Sequence, residues 1–142
     1  MNTACVILAA GLGKRMNSNL PKVLHKVCGI PMLQSVIDTA RKLKNDKIVV
    51  VTGKHDELIK KTLASPDIFF VLQEEPKGTG HALLCARQSL KGFQGVLIVL
   101  NGDSPLVSAE TALLFFRCNL RNFFIVSALT SGVSPLKTIS IP

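Results

Sequence analysis

A loop with two glycines and three cations is the part of the chain best suited to bind phosphate. Gly11 and Gly13 follow a short apolar run, and Lys14, Arg15 and Lys22 come soon after them. Because glycine has no side chain, the backbone N–H groups of such a loop can approach a phosphate closely, and nearby cations neutralise its charge. The spacing therefore favours a polyphosphate site. The alternative is a tight strand-to-helix turn with solvated cations.

Two common glycine-loop patterns do not fit this loop. The dinucleotide pattern G-x-G-x-x-G would need glycine at Met16, and a P-loop would need Ser or Thr at Arg15. The loop still follows a predicted strand, which is how parallel α/β sheets hold a polyphosphate.

A second polar loop contains Gln73 and two glycines, Gly78 and Gly80. A glutamine amide both donates and accepts hydrogen bonds, so it can match the edge of uracil or another base. The glycines let the backbone approach a planar ring, and Thr79 can cap the following helix and also face a ligand. The loop is predicted to read a base, and a polar loop with a capped helix is the alternative. His81 is interpreted as a structural residue of the first helical turn.

The third candidate is a carboxylate that follows the most hydrophobic apolar run. Asp103 comes directly after residues 96–100 and Asn101-Gly102. A carboxylate at the carboxyl end of a central strand is where α/β enzymes hold Mg²⁺ on a nucleotide phosphate. We therefore predict that Asp103 is a metal ligand. Because Gly-Asp-Ser-Pro is also typical of turns, a plain turn is the alternative.

Apolar runs alternate with segments of helical period along the chain. The predicted strands are 4–9, 47–52, 68–72, 96–100 and 123–129. The predicted helices are 31–43, 55–64, 79–90 and 108–120, the last two with a hydroxyl residue at the N-cap. This alternation indicates βαβ units, so we predict an α/β fold: a three-layer α/β/α sandwich with a Rossmann-like, mostly parallel sheet. Residues 1–130 are expected to form the domain, and 131–142 an irregular tail.

The expected topology brings the three candidate loops together. In a doubly wound sheet with strand order 3-2-1-4, the loops after strands one and four flank a crevice at the topological switch point. Residues 11–22 would then face Asp103, and the loop with Gln73 would open at the same edge.

The charge of the chain favours an anionic ligand. Its 17 Lys and Arg against 9 Asp and Glu give a net charge of +8, and residues 1–61 hold 11 of the cations and 4 of the anions. Trp and Tyr are absent and aromatic residues make up only 5%. Proteins that stack bases use more aromatic side chains, so we expect no nucleic-acid partner.

The cysteines and the apolar segments exclude other classes of protein. The cysteines are widely spaced, so neither a zinc site nor a redox pair is predicted, and Cys5 and Cys85 are expected to be buried thiols. The apolar segments are too short to span a bilayer, and no basic stretch precedes the first of them. We therefore expect a cytoplasmic protein without a membrane partner.

Five segments of the chain stand in the order of a known family signature. They are Leu8-Ala9-Ala10-Gly11-x-Gly13-x-Arg15-Met16, Pro21-Lys22-Val23-Leu24-His25, Gly29-x-Pro31-Met32, Gln73-x-Glu75-Pro76-x-Gly78-Thr79-Gly80-His81-Ala82 and Gly102-Asp103-x-Pro105-Leu106. This order resembles the sugar-1-phosphate nucleotidylyltransferases. The closest resemblance is to the bacterial N-acetylglucosamine-1-phosphate uridyltransferases, the N-terminal half of a bifunctional enzyme. The resemblance implies the nucleotide-diphospho-sugar transferase fold.

The resemblance also implies a role for each candidate residue. Arg15 and Lys22 would be the catalytic cations that hold the triphosphate and the leaving pyrophosphate, and Asp103 would be a ligand of Mg²⁺. The implied substrate-binding residues are Leu8, Ala9, Ala10, Gly11 and Gly13 along the nucleotide, Lys22 at the phosphates, and Gln73, Gly78 and Thr79 at the uracil.

The implied reaction joins UTP and N-acetylglucosamine 1-phosphate to give UDP-N-acetylglucosamine, a peptidoglycan precursor, and pyrophosphate. A nucleotide-binding module without turnover, or a transferase for another sugar 1-phosphate, is the alternative. Lys14 departs from the family, which usually has a small hydroxyl residue there. Residues 131–142 match none of the family's downstream segments, so a C-terminally truncated form is expected. The resemblance implies relatives that trimerise through an acetyltransferase half. That half is expected to be absent here, so an oligomer is possible and the oligomeric state stays open.

Overall fold

The computed structural model describes residues 2–11, 13, 16–118 and 125–127. Within these ranges the strands are β1 (Thr3–Ala9), β2 (Lys26–Val27), β3 (Ile30–Pro31), β4 (Lys47–Thr52), β5 (Ile68–Leu72), β6 (Val96–Asn101) and β7 (Ile125–Ser127). The α-helices are α1 (Met32–Lys42), α2 (Asp56–Leu63), α3 (Thr79–Ala86) and α4 (Ala109–Cys118), and two short 3-10 turns cover Lys22–Leu24 and Gln88–Leu90. The predicted tail, 131–142, lies outside the described residues.

The main sheet has the order β5-β4-β1-β6-β7, which confirms the predicted order of its first four strands. β1 pairs in parallel with β4 on one side and with β6 on the other, so that Ile7 lies opposite both Val50 and Leu100. β7 pairs with β6 in the antiparallel direction, and β5 forms the other edge of the sheet. The carboxyl ends of β1, β4, β5 and β6 therefore meet at one edge.

Helices cover both faces of this sheet and give the three predicted layers. Alternate residues of β1 enter different cores: Cys5 and Ile7 pack with α1 and α2, whereas Val6 packs with α3. The buried stripe of α1 is Leu33, Val36, Ile37 and Ala40, which is the spacing of a helix with one apolar face. Among the described residues, no helix is both long and apolar enough to cross a membrane.

The buried position of β1 also determines the state of its thiol. Cys5 is fully buried, and burial raises its pKa to about 12 because the charged thiolate would lose its hydration. Cys85, a residue of α3, is only half-buried, because it packs at the margin of the core between α3 and the sheet. The expectation that this thiol is buried is therefore wrong.

The N-cap of α3 differs from the prediction. The N-cap residue is Gly78 and not Thr79, which is the first residue of the helix. Gly78 has φ 92° and ψ 177°, a conformation that glycine adopts readily and threonine does not. The predicted cap of α4 is confirmed, since the Thr111 N–H donates to Oγ of Ser108 at 3.1 Å.

A hairpin that the sequence analysis did not predict connects the first loop to α1. β2 and β3 pair across Cys28 and Gly29, which both have positive φ, as in a tight two-residue turn. The Met32 N–H at the start of α1 donates to the His25 carbonyl at 2.9 Å. The hairpin therefore fixes the turn Lys22–Leu24 against the first turn of α1.

An ion pair fixes the C-terminal end of α1 to the start of β5. The Arg41 guanidinium donates to both carboxylate oxygens of Asp67, at 2.7 and 2.9 Å, and to Asp38 at 3.1 Å. These hydrogen bonds hold the pKa of Asp67 well below its ordinary value and raise that of Arg41. Because the folded pKa of Asp67 is lowered, the pair stabilises the fold above about pH 4 and loses its effect as the pH falls further.

We predict that Arg41→Ala lowers the free energy of unfolding by about 0.2–1 kcal/mol at neutral pH, the usual range for exposed pairs. The difference from the wild type should shrink as the pH is lowered below about 4. Urea unfolding across this pH range measures it. Arg41→Lys is the matched control, because it keeps the charge but loses the two-pronged contact. A difference that does not change with pH would contradict the assignment to Asp67.

Candidate active site

A cleft of about 640 Å³ opens at the carboxyl edge of the main sheet. It is lined by all of the predicted substrate-binding residues and by the predicted metal ligand: Leu8, Ala9, Ala10, Gly11, Gly13, Lys22, Gln73, Gly78, Thr79 and Asp103. Met16, Val23, Pro76, Ala82 and Asn101 complete the lining. Arg15 and Lys14 lie outside the described residues, so the catalytic role of Arg15 stays a prediction.

Gly13 packs directly against the residue that carries the cation of the first loop. Its φ is +58°, and a Cβ at this position would lie 2.8 Å from Cβ of Lys22. The Met16 N–H donates to the Gly13 carbonyl at 2.9 Å and closes the turn. Because Cβ of Lys22 cannot move without the backbone, only glycine fits here, and the glycine loop sets the position of the lysine.

Lys22 is anchored by the two residues that follow it. Val23 and Leu24 are buried in the core under α1, while the Lys22 side chain extends into the cleft. Its Nζ lies 2.6 Å from Oδ2 of Asp103, and the two side chains are 40% and 36% exposed. The predicted phosphate-binding cation and the predicted metal ligand are therefore direct partners.

Asp103 is brought to this point by the exit of β6. The Gly102 N–H donates to the Leu8 carbonyl at 2.9 Å, which ties the loop after β6 to the end of β1. This contact is the juxtaposition that the doubly wound topology predicts for a switch point. Within the described residues, no group of three or more His, Cys, Asp or Glu side chains could hold a metal by itself.

Gln73 lies at the other side of the cleft, directly after β5. Its N–H donates to the Thr52 carbonyl at 2.7 Å and extends the pairing of β5 with β4 by one residue. The residue is only 4% exposed, and its Nε2 lies 3.2 Å from the Gly78 carbonyl oxygen and 2.9 Å from Nδ1 of His81. The amide is thus held by hydrogen bonds within its own loop.

The N-terminus of α3 forms the wall next to Gln73. Gly78 and Thr79 line the cleft there, and no described side chain caps the helix. The first N–H groups of an α-helix have no partner within the helix. This wall therefore offers hydrogen-bond donors beside the glutamine amide.

Two further residues of this region, His81 and Asn101, are polar and have no predicted role in binding or catalysis. The sequence predicts a structural role for His81, and its contact with Gln73 depends on a loop conformation that no sequence pattern indicates. Asn101 is the last residue of β6, and its position just before Asp103 was the available signal.

A second cavity, of about 140 Å³, lies between α1 and the end of β6. Its lining residues are Val36, Thr39, Val99, Leu100, Asn101, Ser104 and Val107. Because none of these side chains is charged, this cavity is a poor site for a phosphate. The larger cleft is the candidate active site.

Some known proteins are similar to this chain in sequence, and others are similar to it in fold. The chain is 51% identical over 111 residues to the bifunctional protein GlmU of Clostridium novyi, which covers 78% of the chain and 24% of that relative. The chain spans about a quarter of the length of the curated relatives it matches.

Two solved structures show the same fold. A manganese complex of Rv0371c from Mycobacterium tuberculosis has a TM-score of 0.69 and 20% identity, over 84% of this chain and 60% of that one. A nucleotidyl transferase from Methanothermobacter thermautotroptrophicus has a TM-score of 0.68 and 21% identity, over 82% of this chain and 57% of that one.

The family assignment follows from a match that extends over most of the sequence. The family model described as the MobA-like NTP transferase domain matches residues 5–133, which include all three loops of the cleft. The chain therefore belongs to the MobA-like NTP transferase family.

Proposed function

We propose that this chain binds UTP with Mg²⁺ and that its cleft serves uridylyl transfer to N-acetylglucosamine 1-phosphate, with release of pyrophosphate. The observation that carries the proposal is the position of Lys22, Asp103 and Gln73 in one cleft at the switch point of the sheet. The lysine suits the phosphates of a nucleoside triphosphate, the carboxylate suits a metal ion bound to those phosphates, and the glutamine amide suits the edge of the base. Membership of an NTP transferase family supports the reaction class.

The phosphate end of the proposed site combines backbone and charge. The glycine loop offers N–H groups beside Lys22, and the loop is open to the cleft at Gly11. Backbone N–H groups in such a loop bind anions, and a lysine ammonium adds a point charge. In this proposal Lys22, together with Arg15 as predicted from the sequence, holds the triphosphate and stabilises the leaving pyrophosphate.

The carboxylate of Asp103 fits a divalent cation that is shared with the substrate. Mg²⁺ is usually held by one or two carboxylates together with substrate phosphates, so one aspartate at the cleft is sufficient on the protein side. Such a cation, when bound, neutralises charge on the transferred phosphate and orients it. The manganese complex of Rv0371c supports a divalent metal in this fold. Mg²⁺ itself comes from the sequence resemblance.

The Lys22–Asp103 pair makes the proposed metal and phosphate contacts depend on each other. In the structure each side chain neutralises the other across 2.6 Å. If Asp103 turns to a cation, Lys22 loses its partner and is free to bind a phosphate oxygen. Nucleotide and metal are therefore expected to bind together.

Uracil is the base that best suits the wall at Gln73. Its N3–H is a donor between two carbonyl acceptors, and the wall combines an amide oxygen with the N–H groups at the start of α3. Cytosine has an unprotonated acceptor at N3, which would face the amide oxygen unfavourably. This pattern supports a uridine nucleotide over a cytidine nucleotide.

The chemistry needs no general base. A phosphate monoester has a second pKa near 6, so at neutral pH the sugar phosphate arrives with an ionised oxygen that can attack the α-phosphorus. Catalysis is then a matter of alignment and charge neutralisation. In this proposal Lys22 would supply positive charge directly, and Asp103 would act through the cation that it would hold. The sugar in this proposal comes from the sequence resemblance to the N-acetylglucosamine-1-phosphate uridyltransferases.

The proposal predicts that the chain binds UTP with Mg²⁺ more tightly than CTP or ATP, because of the wall at Gln73. Calorimetric titration with each of these three nucleotides measures this preference, and equal affinities would contradict base recognition. A coupled pyrophosphate-release assay with N-acetylglucosamine 1-phosphate, glucose 1-phosphate or no sugar then tests transfer. UTP binding without product would instead identify a nucleotide-binding module without turnover.

Lys22→Ala should weaken UTP binding by about 1.5–3 kcal/mol, roughly tenfold to 150-fold, because a charge-assisted phosphate contact is lost. Lys61→Ala is the matched control, since Lys61 is an exposed cation on α2. Lys60 is unsuitable because its Nζ lies 2.6 Å from Oδ2 of the buried Asp56. Equal losses in the Lys22 and Lys61 variants would mean that only overall charge matters.

Asp103→Asn should abolish the Mg²⁺ dependence of UTP binding and leave the melting temperature close to that of the wild type. Without Mg²⁺, this variant should bind UTP at least as well as the wild type, because Lys22 is no longer engaged by a carboxylate. Titrations with Mg²⁺ and with a chelator separate the two conditions. Retained Mg²⁺ dependence would place the metal elsewhere.

A further inference from the structure

We propose that His81 is a positioning residue that orients the Gln73 side-chain amide so that its oxygen, and not its nitrogen, is presented to the nucleotide base. The inference rests on the proposed function, since it concerns base recognition in the same cleft. Gln73 Nε2 makes two contacts, at 3.2 Å from the Gly78 carbonyl oxygen and 2.9 Å from Nδ1 of His81.

The first contact determines which end of the amide points into the loop. A carbonyl oxygen can only accept a hydrogen bond, so the group that faces Gly78 must be the amide nitrogen. If the amide were turned over, its oxygen would face the carbonyl oxygen at the same place. Gly78 therefore orients the amide, although a single contact of 3.2 Å is a weak constraint on a rotatable group.

The second contact uses the remaining amide hydrogen. Nδ1 of His81 lies 2.9 Å from Nε2, which is an ordinary distance for an N–H hydrogen bond. Because Nε2 donates, Nδ1 must accept, and the proton of the neutral ring is then on Nε2 of His81. Both amide hydrogens are thus used within the loop.

The remaining polar atom of the Gln73 amide is its oxygen, Oε1. Among the described residues, Oε1 of Gln73 accepts no hydrogen bond, and Gln73 lines the cleft. A glutamine held in this way acts as an acceptor only, although a free amide is both donor and acceptor. An acceptor-only group selects the N3–H of uracil against the unprotonated N3 of cytosine. His81 therefore acts on base choice through Gln73, without contact to the base.

The position of His81 makes the contact stable. It lies in the first turn of α3, three residues after the N-cap Gly78, so both acceptors for the amide come from one helix start. The Gln73 backbone is fixed separately by the Thr52 carbonyl, at 2.7 Å. Gln73 as a whole is 4% exposed, so water has little access to replace a lost hydrogen-bond partner.

His81→Leu removes the acceptor at a similar volume, and His81→Asn keeps an oxygen acceptor near the place of Nδ1. The ratio of UTP to CTP affinity should fall by about two- to tenfold in the leucine variant, the effect of one net hydrogen bond, and should be largely restored in the asparagine variant. Leu84→Ala is the matched control, because this residue of α3 is 49% exposed. Tripolyphosphate serves as a probe of the phosphate end, and its affinity should not change.

Three outcomes would overturn the inference. The first is an unchanged UTP to CTP ratio in His81→Leu, and the second is an equal loss for UTP, CTP and tripolyphosphate, which would indicate a general structural role. The third is a failure of His81→Asn to restore the ratio. A wild-type chain that binds UTP and CTP equally would contradict the proposed function itself.

A nucleotide-independent measurement tests the contact directly. The ¹⁵N chemical shifts of the three histidine rings at alkaline pH, assigned with the His81→Asn variant, report which ring nitrogen carries the proton. We expect the proton of His81 on Nε2 and an unprotonated Nδ1. A proton on Nδ1 would overturn the inference whatever the nucleotide preference.

Discussion

The parallel pairing of β1 on both sides is the constraint on which the rest of the structure depends. The strand β1 is hydrogen-bonded to β4 on one side and to β6 on the other, and its side chains pack in the cores on both faces of the sheet. Parallel strands need crossover connections, so each neighbour leaves the sheet at the same edge as β1. The three loops of the cleft therefore converge there, and the hydrogen bond from Gly102 to the Leu8 carbonyl holds two of them together.

Much of this arrangement could be predicted because local patterns of apolar residues in the sequence indicate it. Apolar runs without polar alternation identify buried parallel strands, and the apolar spacing of Leu33, Val36, Ile37 and Ala40 identifies the inner face of α1. The order of the first four strands then follows from the doubly wound topology, in which the chain builds outward on one side of the first strand and then returns to its other side. Because that order determines the switch point, the approach of Lys22 to Asp103 could be expected before any distance was known.

What could not be predicted depends on backbone conformation and on long-range contacts. The N-cap of α3 is Gly78, because the backbone there has a positive φ that glycine adopts readily, and Thr79 is already the first residue of the helix. The hairpin of β2 and β3 is too short to leave an apolar pattern. The hydrogen bonds of the Gln73 amide join residues five and eight positions apart across an irregular loop, so no periodicity signals them.

The place of β5 at the edge of the sheet has a consequence for the evolution of such a site. The loops that offer Lys22 and Asp103 follow central strands and are tied to each other, so a change in one disturbs the other. The loop with Gln73 follows the edge strand β5, whose one neighbour among the described strands is β4. In the proposed function, substitutions in this loop would change which base is recognised, while Lys22 and Asp103 would keep their contacts with the phosphates and the metal. A fold of this kind can diversify in specificity through one loop without reinventing its chemistry.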